Sequence, residues 1–155
     1  MTVVPLALRA RVLALIRGGL SAVAYGAALV AGAPSDNVLL GWAFGAVMVS
    51  LILGGDRRGR RDTDPAPIPA DATLESWVQI ARIDVVPSTV GVAMLAVVAL
   101  TFNAVLAGLM GGILGGMAFM TIVSGVRVAL AERRLGGALS IERGSGRLYI
   151  ENATR

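Results

Sequence analysis

Apolar residues dominate four stretches of the chain, Gly18–Ala33, Val38–Gly55, Val85–Phe102 and Ala104–Val126. Each is close to the roughly 20 residues a helix needs to cross about 30 Å of hydrocarbon. The first extends back to Val12 if Arg17 reaches its guanidinium to the headgroups. Pro34-Ser35-Asp36-Asn37 and Phe102-Asn103 are tight connections built from turn and capping residues. The 42 residues from 85 to 126 are too many for one helix across a bilayer, so they divide into two. The pattern therefore predicts an all-α integral membrane protein of four transmembrane helices, arranged as two antiparallel hairpins.

Outside these runs the periodicity changes. Asp56-Arg57-Arg58-Gly59-Arg60-Arg61-Asp62 is a charged juxtamembrane segment, and Asp64-Pro65-Ala66-Pro67-Ile68-Pro69 reads as an extended linker. From Asp71 to Ile83 a helix is expected, capped by Asp71, with Leu74, Trp77, Val78 and Ala81 on one face. An apolar face carrying Trp77 just before a span suits a helix lying in the membrane interface. After Arg134, Leu139–Glu142 and Arg147–Glu151 alternate around Arg143-Gly144-Ser145-Gly146, which predicts a β-hairpin. A lone hairpin is marginal in water, so it is expected to lean on another element. The chain thus divides into a first hairpin (1–55), a loop (56–84), a second hairpin (85–126) and a tail (127–155).

Charge sets the orientation. Charged residues are only 15% of the chain and hydrophobic ones 55%, below the usual charge content of a soluble domain. All 14 positive residues are Arg. Arg9, Arg11 and Arg17 precede the first span; Arg57, Arg58, Arg60, Arg61 and Arg82 lie between the second and third; Arg127, Arg133, Arg134, Arg143, Arg147 and Arg155 follow the fourth. The two short turns contain none. Positive residues accumulate on the cytoplasmic side, so both termini are expected in the cytoplasm of a plasma (inner) membrane protein. Residues 9–33 also resemble a secretory signal, but Pro34 directly after the small residues disfavours cleavage, and a retained helix is expected. The arginines are not interleaved with aromatics, which points to anionic lipid headgroups as partners and away from nucleic acid.

Candidate chemistry is sparse. The chain has no Cys and no His, which removes the usual haem, iron–sulfur and zinc ligands and the usual general base near neutral pH. Neither a catalytic residue, a metal ligand nor a cofactor site is expected. The interiors of the four runs as bounded above hold no Asp, Glu, Lys, Arg or His, which argues against ion-coupled transport and intramembrane acid–base catalysis. Asp84 is expected as a boundary charge paired with Arg17 or Arg82. Pro87-Ser88-Thr89 predicts a kink, its freed carbonyl satisfied by neighbouring hydroxyls.

The strongest motif is glycine. Gly108, Gly111, Gly112, Gly115 and Gly116 form overlapping GxxxG frames in the fourth run, Gly41 and Gly45 repeat the spacing in the second, and Gly18, Ala22 and Gly26 follow it in the first. Such positions let two helix backbones approach closely. Packing inside the bundle is the expectation for Gly41 and Gly45. The fourth run has more glycine than its own hairpin can cover, which predicts association with other membrane subunits or copies of the chain. Asn37–Gly45 and Asn103–Gly112 are also similar enough to raise an internal duplication. By elimination the sequence reads as a non-enzymatic accessory, scaffold or assembly subunit of a larger membrane complex, with tail strands free for β-augmentation. A homo-oligomeric pore or holin-like protein is the alternative, with a small transporter or membrane enzyme third.

Overall fold

A computed structural model describes residues 2–55 and 65–152. Arg57, Arg58, Arg60, Arg61 and Arg155 fall outside the described residues. The chain is mostly helical, with four helical stretches long and apolar enough to cross a membrane: 6–30, 35–53, 77–102 and 104–135. A short strand β1 (Thr2–Pro5) leads into α1 (Leu6–Val30), and a turn at Ala31–Pro34 leads into α2 (Ser35–Gly55). After β2 (Ala66–Pro67) and β3 (Thr73–Leu74), α3 (Trp77–Ile80) runs without a break through a π-helical segment (Ala81–Val90) into α4 (Gly91–Phe102). Asn103, whose side chain accepts from the Val105 amide at 2.9 Å, caps α5 (Ala104–Leu135). The left-handed Gly136 (φ 72°) ends α5 and turns the chain into β4 (Gly137–Glu142) and β5 (Leu148–Asn152).

The expected tail hairpin is present, and it is the centre of a larger sheet ordered β2-β5-β4-β1-β3. β4 pairs antiparallel with both β5 and β1, while β2 and β3 add parallel edges. Leu139 and Ile141 alternate onto one face with Leu148 and Ile150. There they pack on Leu6 of α1 and on Val128 and Ala131 of α5, which supplies the support a lone hairpin lacks. The Pro-rich linker is therefore not a free spacer: Ala66 and Pro67 pair beside Tyr149 and Ile150, and proline is tolerated because β2 is an edge. β1 covers the hairpin edge at Ser140–Glu142 and β2 covers the other at Tyr149–Ile150, so both edges expected for β-augmentation are partly occupied within the chain.

The region before the third span also differs from expectation. Asp71 does not cap a helix, and Leu74 is in β3. The cap is Ser76, which exchanges hydrogen bonds with Gln79 in a capping box. Among the described residues no separate interfacial helix forms. Trp77, 63% exposed, is the first residue of the continuous helical stretch 77–102.

Because β1 and β4 pair, the start of α1 and the end of α5 lie together at the sheet end, with the two helix turns at the far end. α5 is the hub. α1 packs antiparallel along it, α2 runs parallel beside it, and α4 returns against it. The first hairpin is thus not a self-contained pair, since α1 and α2 touch α5 far more than each other.

Candidate functional site

The glycines are where the helices meet. A methyl group on Gly108, Gly112 or Gly116 would strike Val38, Trp42 or Ala46 of α2, the same four-residue step on both helices. Gly41 and Gly45 return the contact against the Val105 and Leu109 backbone. Gly111 turns to α1, where it meets Ala24, and Gly115 sits between the Trp42 ring of α2 and the Ser21 hydroxyl of α1. Ser21 ties the three helices together: it accepts from Trp42 Nε1 at 3.0 Å and donates to the Gly111 carbonyl at 2.7 Å. The contacts of the α5 glycines do fall outside their own hairpin, but on α1 and α2 of the same chain. The surplus of glycine is consumed by two neighbours, so it is not a face left over for a foreign helix.

Small residues are left open elsewhere. Methyl groups on Gly18 and Gly26 would meet nothing within 4 Å. Gly18 and Ala22 of the stripe Gly18-Ala22-Gly26 line an apolar cleft of about 460 Å³ between α1, α2 and α5, walled by Tyr25, Trp42 and Phe119.

A polar cluster occupies the sheet end. Arg143, in the β4–β5 turn, grips Glu75 with Nε and Nη2 at 2.5 and 2.6 Å and reaches Asp84 with Nη1 at 3.1 Å. Asp84 also accepts from Arg9 Nε at 2.9 Å. Asp84 is therefore paired with Arg9 and Arg143, not with Arg17 or Arg82. The hydrogen bonds that Arg143 donates to Glu75, ahead of those it donates to Asp84, raise the Arg143 pKa above its ordinary value and keep the guanidinium charged. Glu75 itself is buried, at 5% exposed.

Arg17 lies well inside α1, not at its edge. Its Nε donates to Thr89 Oγ1 at 3.1 Å, Nη1 to Thr121 Oγ1 at 3.0 Å and Nη2 to Ser88 Oγ at 3.5 Å. The hydroxyls expected to satisfy a proline-freed carbonyl are thus acceptors for an arginine. π-helical winding makes this possible. At 3.6 residues per turn Thr89 would sit about 140° around the helix from Asp84, whereas the wider i→i+5 turn brings 84, 88 and 89 to one side. Pro87 within the segment fits that winding, since proline cannot supply the α-helical N–H.

Arg17, Thr121, Glu75 and Arg143 escaped the sequence reading as a group. An arginine and three hydroxyls lie at similar distances from the sheet-side ends of three different helices, and that shared depth was the available signal. Chemically, the cluster can hold charge and bind an anion. Among the described residues no group of three or more Asp, Glu, His or Cys is placed to hold a metal ion. Comparison with known protein families, with curated proteins and with solved structures finds no match to this chain.

Proposed function

We propose that the chain is an integral membrane protein with both termini cytoplasmic, acting as a non-enzymatic accessory or scaffold subunit that receives a partner helix between α1 and α2. The observation that carries this reading is the open Gly18-Ala22-Gly26 stripe beside the 460 Å³ apolar cleft. Inside a bilayer, helix association draws on close backbone approach and dispersion, and small residues next to an aromatic-walled groove offer both. The partner surface is thus moved from the α5 glycines, which are already covered, to α1.

Purification from native membranes in mild detergent tests it. Ala22→Leu fills the stripe while leaving α5 untouched, and it should reduce co-purifying foreign subunits about tenfold, for a loss near 1.4 kcal/mol. Unchanged recovery of the same subunits would end the docking assignment. Recovery of identical chains alone would replace it with the homo-oligomeric reading.

A further inference from the structure

We propose that a second cavity, between α1 and α5 beside Arg17, holds the phosphate headgroup of an anionic lipid from the sheet-side leaflet. The cavity is about 240 Å³ and separate from the α1–α2 cleft. Arg9, Arg17, Thr121 and Ser124 give it a polar side, and Leu13 and Met120 are among its apolar walls.

Depth makes the charge of Arg17 the deciding feature. From Arg17 to Val30, at the far end of α1, is about 20 Å along the helix, which leaves the arginine some 10 Å inside a hydrocarbon layer of about 30 Å. A cation there calls for a counter-charge. Its protein partners are all neutral: the hydroxyls of Ser88, Thr89 and Thr121. Among the described residues no carboxylate is within 4 Å of its guanidinium, and Asp84 is engaged by Arg9 and Arg143 instead. Three acceptors leave part of the five-donor fork unused. A phosphate would take the remaining donors in the geometry for which a guanidinium is suited. The leucine and methionine walls favour a phosphate that carries an acyl chain over a free ion. This inference requires membrane insertion but not the scaffold role, since it concerns a different cavity.

Native mass spectrometry of the full chain in detergent, with phosphatidic acid, phosphatidylglycerol or phosphatidylcholine added, reads the binding directly. The two anionic lipids should be retained over phosphatidylcholine. Arg17→Gln should weaken their retention about tenfold, as expected for loss of a charge-assisted hydrogen bond, and Arg17→Lys should weaken it less. Met120→Trp fills the cavity with Arg17 intact and should also release the lipid, so the test survives if Arg17→Gln fails to fold. Retention unchanged in both Arg17→Gln and Met120→Trp would overturn the site. Equal retention of phosphatidylcholine would overturn the charge argument, and displacement by millimolar inorganic phosphate would overturn the lipid as the source of the anion.

Discussion

Glu75 has a side chain only 3% exposed, and its two closest charge contacts come from Arg143. Arg143 in turn bridges to Asp84, so one guanidinium links the strand turn, the residue after β3 and the π-helical segment. Breaking a buried pair strands the surviving charge, which costs more than the pair contributes when intact. Because solvent reaches part of Arg143, the cost is set below that of a fully buried pair, and Arg143→Ala should destabilise the fold by about 2 kcal/mol. Arg147→Ala, in the same turn but exposed, should stay within about 0.5 kcal/mol. Thermal unfolding in micelles compares the two, and equal midpoints would show that the network holds nothing in place. None of these partnerships was legible from the sequence. Glu75 lies 68 residues from Arg143, and only the sheet brings them together.

Elements built on local pattern were read well, and those whose partners lie far along the chain were not. The four apolar runs, the two tight turns and the tail hairpin follow from hydropathy, capping and alternation over a few residues. The glycines of the frames in α2 and α5 lie at close helix contacts, but a frame does not name its partner. Gly112→Leu is therefore expected to disrupt the fold of the single chain, because its side chain would run into the Trp42 backbone, and not merely to loosen an assembly. Overpacking of this kind costs at least about 1–3 kcal/mol. Gly19→Leu, with open space around it, should leave the unfolding midpoint nearly unchanged. The π-helical segment was invisible in periodicity, since ten residues of wider winding resemble an α-helix with a proline. Pro87→Ala restores the missing N–H and should let the segment relax toward α-helical winding, rotating Asp84 away from Thr89. Hydrogen exchange should then slow within 81–90 and quicken in β4 and β5 as the Arg143 bridge loosens. Slower exchange at 81–90 with β4 and β5 unchanged would separate the winding from the bridge.

At the scale of the molecule, the internal duplication that the sequence raises meets a mixed result. Val38, Trp42 and Ala46 step along Gly108, Gly112 and Gly116, so α2 and α5 pair as a duplication would pair them. The long α1–α5 contact has no α4–α2 counterpart, however, and the bundle is organised around α5 and not around an axis between two halves. This asymmetry leaves one side of α2 exposed, with Leu40, Phe44, Val47 and Leu51 all more than half accessible, a surface suited to lipid. It also gathers the described arginines that flank the helices toward the sheet end, away from the turns at Ala31–Pro34 and Asn103. Under the proposed orientation, which rests on the positive-inside rule, this end faces the cytoplasm. A reporter fused after Asn152 and another inserted at Ala70 should both read cytoplasmic, and one at Ser35 should read external. The Ala70 site is the discriminating one, because Pro69 and Ala72 join β2 to β3 and the sheet requires this loop on the same side as the tail. An external signal at Ala70 with a cytoplasmic tail would be incompatible with the five-stranded sheet and with four membrane crossings together.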